Sequence, residues 1–167
     1  MLSVETRQAV HPDHARAMDT EELRQHFLVS GIFVPGEIRL IYSHYDRMVV
    51  GGAVPEGGEL VLNHVQETKT PTFLDRREMA VVNIGGPGTV AASSETHALE
   101  RGDVLYLGMG SGPVTFGGKG RFYITSAPAH RTCPTRLIRI GEAKAVPMGA
   151  PETSNKRVIH QFVHPLV

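Results

Sequence analysis

The sequence predicts a mainly β protein: an antiparallel β-sandwich or jelly-roll barrel with one N-terminal helix. Two observations predict it. After Ile32 the apolar residues fall into short runs with a period near two, bounded by glycine- or proline-bearing turns. Before Ile32 a single segment carries a capped helical pattern. Short, evenly broken runs give many strands, and many strands bury their apolar faces best as two sheets over one core. With 167 residues and 41% hydrophobic composition, the chain is long enough for one such core.

Residues 1–18 show no strong period, and Thr6–Val10 reads as a short strand or an arm. His11-Pro12-Asp13-His14 reads as a turn, because nothing nearby completes a metal-ligand set. Asp19 is placed to cap a helix over about residues 19–30, with Glu22 completing a capping box. Leu23 and Phe27 share one face of it, Leu28 lies beside them, and Gly31 is the stop. Strands are expected at Glu37–Ser43, Arg47–Val54 and Leu60–His64. Gly51-Gly52 marks a bulge or a close backbone approach. The central stretch, Arg76–Gly118, holds the runs Met79–Ile84, Thr89–Ala92 and Val104–Leu107. Gly85-Gly86-Pro87-Gly88 is expected to reverse the chain through positive φ at glycine, and Arg101-Gly102-Asp103 turns it again. Pro113–Gly117 and Arg121–Ser126 are expected to pair around Gly118-Lys119-Gly120, and Thr135–Ile140 is a further strand. Gly141–Asn155 reads as a connector. Arg157–Val163 reads as a strand that opens a second domain. The division expected is an arm over 1–18, a β domain over 19–140, and a linker with a first strand over 141–167, leading to a domain absent from this chain.

Seventeen basic and seventeen acidic residues cancel, so nothing favours nucleic acid or an anionic membrane as partner. No apolar run approaches a membrane span, and the N-terminus lacks the pattern of a secretory signal. The single cysteine, Cys133, excludes an internal disulfide and fits a reducing, cytoplasmic setting. Glycine-rich phosphate loops are excluded by position: Pro113 and Thr115 stand where glycines are required, and no helix follows. Three polar groupings remain as candidate substrate-cleft or interface residues. Tyr42, His44 and Arg47 lie around a hairpin tip. Arg77 and Glu78 form a charged pair at a strand start. His130, beside Arg131, follows the strand ending near Ser126 and suits an anionic sugar.

Glu78, six intervening residues and then Gly85, with Gly102 and Gly110 downstream, resemble the glycine and glutamate framework of the cupin family. The histidine ligands of that family would fall at Thr72 and Leu74, or at Pro71 and Phe73 on a looser spacing, and the third at Pro113. One carboxylate cannot hold a transition metal, so no metal site is expected in this degenerate cupin-like domain.

More specific segments run along the chain: Tyr42-Ser43-His44 with Asp46-Arg47; Val50-Gly51-Gly52; Phe73-Leu74 with Arg76-Arg77-Glu78; Val82-Asn83-Ile84-Gly85-Gly86; Ala127-Pro128-Ala129-His130; and Thr153-Ser154-Asn155. From about His11 to Arg157 the chain thereby resembles the N-terminal half of the 4-deoxy-L-threo-5-hexosulose-uronate ketol-isomerases. The resemblance implies conversion of an open-chain 5-keto-4-deoxyuronate to 3-deoxy-D-glycero-2,5-hexodiulosonate in pectin and polyuronate degradation. It implies two tandem cupin-like halves, a hexamer, and zinc held in the C-terminal half, none of whose ligands can be carried onto this chain. It leaves the chain's own catalytic residues unknown. A non-catalytic cupin for sugar binding or oligomerisation is the rival expectation.

Overall fold

The computed structural model describes residues 1–163. The N-terminal arm is strand β1 (Leu2–Arg7), followed by helices α1 (Pro12–Ala17) and α2 (Thr20–Phe27). Then come β2 (Glu37–Ser43), β3 (Val49–Val54), β4 (Leu60–Leu62), β5 (Arg77–Asn83), β6 (Gly88–Ala92), β7 (Glu95–Leu99) and β8 (Val104–Leu107). The chain continues through β9 (Val114–Gly118), β10 (Phe122–Pro128), β11 (Arg136–Ile138), β12 (Lys144–Met148) and β13 (Arg157–Gln161). A seven-stranded sheet runs β1-β2-β3-β10-β5-β8-β11, and a four-stranded sheet runs β4-β9-β6-β7. Among the described residues, strands β12 and β13 pair only with each other. Pairing is antiparallel apart from β1, which lies parallel to β2 with Leu2 opposite Ile38 and Arg7 opposite Ser43.

The two sheets face each other across one core. Ile38 and Leu40 from β2, Met79 and Val81 from β5, Leu105 and Leu107 from β8, and Ile124 from β10 meet Val90, Val114 and Phe116 from the smaller sheet. Burying each of the larger of these side chains is worth about 1.5–3 kcal/mol, so alternation fixes which face of every strand turns in. In β5 the buried positions are Arg77, Met79, Val81 and Asn83, and the half-buried ones between them, Glu78, Ala80 and Val82, face outward.

The single expected helix is two. His11-Pro12-Asp13-His14 is not a free turn but the start of α1, with the His11 ring accepting from the Asp13 N–H and Pro12 in the first helical turn. Helix α2 starts as its capping box requires: Asp19 accepts from Glu22 N–H and Glu22 from Asp19 N–H, each at 2.9 Å. It ends at Phe27, short of residue 30, and its apolar stripe is not buried: Leu23, Phe27 and Leu28 stay 41–46% exposed.

Two expected hairpins are sheet crossings. β9 and β10 do not pair; they lie in opposite sheets, and Phe116 and Phe122 stack between them at 5.4 Å. β5 and β6 are likewise divided between the sheets. At this corner the glycines serve close approach rather than positive φ. Among Gly85, Gly86 and Gly88 none has positive φ, and a Cβ on Gly88 would stand 2.6 Å from the Phe122 ring. Asn83, fully buried, ties the corner together. Its amide donates to Gly86 O and Leu99 O, and its carbonyl accepts from the N–H of Gly85 and Arg121. β7 was not foreseen, nor was β12 within the expected connector.

Candidate functional site

The alternation of β5 sends two sequence neighbours to opposite faces. Arg77 turns inward and is 5% exposed. Its guanidinium donates to Ser126 Oγ (3.1 Å), Ser126 O (2.9 Å) and Arg47 O (2.7 Å), and lies over the Phe73 ring at 5.6 Å. No acidic side chain pairs with it among the described residues. Burial pushes its pKa down to about 10, with Tyr42 opposing that shift and Arg47 adding to it. Tyr42 and His44 pack edge to face at 5.4 Å nearby in sequence, at the end of β2. Asp46 and Arg47 form the tight β2–β3 turn with φ of 51° and 53°. Tyr42, Arg47 and Arg77 thus belong to one end of the barrel, where Arg77 holds the turn by its carbonyl.

Glu78 turns the other way, onto the outer face of the large sheet. Spacing matched it to the glutamate of the cupin framework, but it leaves β5 on the side away from Met79 and Val81. It lines a cleft of about 580 Å³ with Tyr106, Arg136, Ile138 and the loop carrying His130, Arg131 and Cys133. The Tyr106 hydroxyl donates to Glu78 Oε2 at 2.6 Å. Burial, and then the Glu78 carboxylate and the Cys133 thiol, raise the Tyr106 pKa well above the ordinary phenol range.

The cleft exists because the sheet edge is short there. β11 has only three residues, pairing Arg136 with Tyr106 and Ile138 with Val104. The seven residues before it form a loop that folds back over β8. Gly108 permits this: a Cβ there would run into the carbonyl of Cys133. Asp103, 2% exposed, anchors the far end of β11. It accepts from Arg139 Nη1 (2.6 Å), Ile140 N–H (3.0 Å) and Glu100 N–H (2.9 Å). Burial would raise its pKa, and these donors outweigh it and hold the carboxyl below the usual range.

Of the six candidate residues, the structure therefore buries Tyr42 and Arg77 at one end of the barrel with His44 and Arg47 exposed beside them, and places Glu78 and His130 in the outer cleft. Tyr106, Cys133 and Arg136 were not singled out by the sequence. Tyr106 carried a signal: it is the one polar-tipped residue in Val104-Leu105-Tyr106-Leu107, so it had to sit on the face opposite Leu105 and Leu107. Among the described residues no three His, Cys, Asp or Glu side chains come together as a metal-binding group. No helix among them is long and apolar enough to cross a membrane.

A sequence model of the KduI/IolB family matches residues 28–166. A 4-deoxy-L-threo-5-hexosulose-uronate ketol-isomerase from Agrobacterium fabrum is 65% identical over 167 residues, all of this chain and 61% of the relative. A protein of the same name from Cereibacter sphaeroides is 60% identical, again over all of this chain and 61% of its own length. The chain thus spans about three fifths of these relatives. Among solved structures, an IolB-like protein from Salmonella typhimurium superposes with a TM-score of 0.53 at 19% identity, covering 70% of this chain and 46% of that one. That likeness concerns the fold.

Proposed function

The chain belongs to the KduI/IolB family, and from that premise we propose that it forms the N-terminal portion of a ketol-isomerase acting on 4-deoxy-L-threo-5-hexosulose-uronate. The observation that carries the reading is 65% identity, over every residue of the chain, to a relative of that name. The reaction yields 3-deoxy-D-glycero-2,5-hexodiulosonate and belongs to pectin and polyuronate degradation in the cytoplasm.

An aldose–ketose isomerisation moves a proton between adjacent carbons while their oxygens carry developing negative charge, so it needs a base and a centre that stabilises that charge. We assign zinc as the enzyme's cofactor. Among the described residues Glu78 faces the outer cleft with Tyr106, and no two further ligand side chains join it to make a zinc-binding group. We place the zinc ligands outside residues 1–163. This part of the protein supplies scaffold, subunit contact and substrate-facing polar groups. The exposed apolar residues Leu23, Phe27, Leu28, Val158 and Ile159 support self-association, which we take to be hexameric.

The test is turnover of 4-deoxy-L-threo-5-hexosulose-uronate by the full-length protein, followed by NMR, with metal content and mass in solution measured on the same sample. Conversion to the 2,5-diketo acid by a zinc-containing hexamer is expected. A protein that leaves this uronate untouched sinks the reading.

A further inference from the structure

We propose that the outer cleft between β5, β8 and the β10–β11 loop binds the carboxylate end of an open-chain polyhydroxy acid. Arg131 and Arg136 take the carboxylate, and the Glu78–Tyr106 pair takes the hydroxyls. The proposal rests on the isomerase reading for the identity of the acid, and on the cleft's own chemistry for everything else.

Size comes first. At about 580 Å³ the cleft lies within the range of roughly 300–1,000 Å³ usual for small-molecule sites. Charge comes second. Two guanidiniums and one carboxylate share the lining, yet neither arginine pairs with Glu78 or with any other acid among the described residues. Glu78 instead takes the Tyr106 hydroxyl. In a chain whose charges balance, two unpaired arginines beside a carboxylate already engaged elsewhere make a local positive excess. Guanidinium matches carboxylate geometry, two N–H groups to two oxygens.

Chemistry of the remaining groups narrows the class. A carboxylate is an acceptor only, and Glu78 has lone pairs left after Tyr106 is satisfied, so it calls for hydroxyl donors on the ligand. Ile138 gives an apolar wall for the carbon chain. A phosphate dianion would bring more negative charge against Glu78, with a single hydroxyl to offer it and no carbon chain for Ile138. A singly charged acid with a hydroxylated chain suits the two arginines, the Glu78–Tyr106 pair and the Ile138 wall together.

The probes are D-gluconate, the uncharged D-sorbitol, and inorganic phosphate, titrated into the full-length protein by calorimetry. Backbone NMR shifts at Arg131, Cys133 and Arg136 report the location. Gluconate is expected to bind and shift these amides, with sorbitol at least about tenfold weaker, as the loss of one charge-assisted contact implies, and with phosphate weaker than gluconate through its extra charge against Glu78. Arg131→Ala with Arg136→Ala should weaken gluconate by about tenfold or more and raise KM for the uronate with kcat little changed. Both side chains are exposed, so the fold should survive, and the wild-type shift map tests the location without any variant. Equal binding of sorbitol or phosphate, shifts elsewhere, or an unchanged KM in the double variant overturns the proposal. If gluconate binds here through the arginines while the wild type leaves the uronate unreacted, the isomerase reading fails and the site stands. If the uronate turns over and the double variant behaves as wild type, the site fails and the isomerase reading stands.

Discussion

Arg77 and Glu78 show what one residue of register decides. Adjacent in sequence, they serve different parts of the molecule because β5 alternates. Arg77 is charged at neutral pH despite a pKa lowered to about 10 by burial, a cost that its hydrogen bonds must offset. Three acceptors depend on its planar fork: the Arg47 carbonyl and two atoms of Ser126. A lysine keeps the charge and loses the fork. Arg77→Lys should therefore destabilise by about 1–3 kcal/mol, close to Arg77→Met, in urea unfolding; a wild-type midpoint for the lysine variant would show that charge alone matters. Tyr106 gives a test by titration. Its pKa is raised, so it stays neutral in the folded state where an unfolded tyrosine ionises; its stabilising share is complete below about pH 10 and is lost as pH rises beyond. Of the four tyrosines it should ionise last in an ultraviolet titration, and Glu78→Gln should bring it back toward the others. At this scale the sequence was legible for charge and opaque for partnership. His130, Arg77 and Glu78 could be picked out as polar groups on or beside strands. That Glu78 would meet Tyr106 depended on β5 and β8 pairing with Ala80 opposite Tyr106, which no local pattern states.

Elements were legible where side-chain period and turn chemistry agreed. β2 and β8 match their expected runs, and the capping box set the start of α2. β7 was missed because its turn is written in an uncommon residue pair. Ser93 and Ser94 both hold positive φ, 50° and 67°, where a tight hairpin favours Asn-Gly. Ser94→Gly, which leaves the Ser93 Oγ bond to Ser111 O in place, should stabilise the β6–β7 hairpin by about 0.5–1 kcal/mol in thermal or urea unfolding, and a lower midpoint would contradict the turn geometry. Pairing between elements was the weaker inference. The Pro113–Gly117 and Arg121–Ser126 runs read as a hairpin, since their spacing is that of a hairpin. What separates them is the bulk of Phe116 and Phe122, which fill the gap between sheets. β11 illustrates an element held by one carboxylate. Asp103→Ala removes an acceptor from Arg139, Ile140 and Glu100 together and should cost about 1.5–3 kcal/mol. Because the Asp103 pKa is depressed, its stabilisation is present above the unfolded carboxyl pKa of about 4 and is lost as pH falls through and below it. The variant's deficit should therefore shrink in acid, and a deficit that is constant from pH 7 to pH 3 would refute the ion-pair account.

At the scale of the molecule, binding and chemistry are assigned to different parts, and that division can be tested directly. The described residues that line the outer cleft all lie within 78–163, so the proposed recognition of an acid there is expected of the fold of this chain. Stabilising the charge on the reacting oxygens is the part proposed for zinc, whose ligands are placed outside these residues. Removing one such stabilising group from an enzyme typically costs a factor of about 10²–10³ in rate, and losing the whole centre costs more. A polypeptide restricted to residues 1–167 should accordingly keep a strand-dominated circular dichroism spectrum and bind gluconate, yet isomerise the uronate at least about 10²-fold more slowly than the full-length protein. Chelation of zinc should silence the full-length protein and leave gluconate binding unchanged in both. Turnover by the 167-residue chain at the full-length rate, after chelation, would place the reacting centre among these residues and overturn the division between the parts.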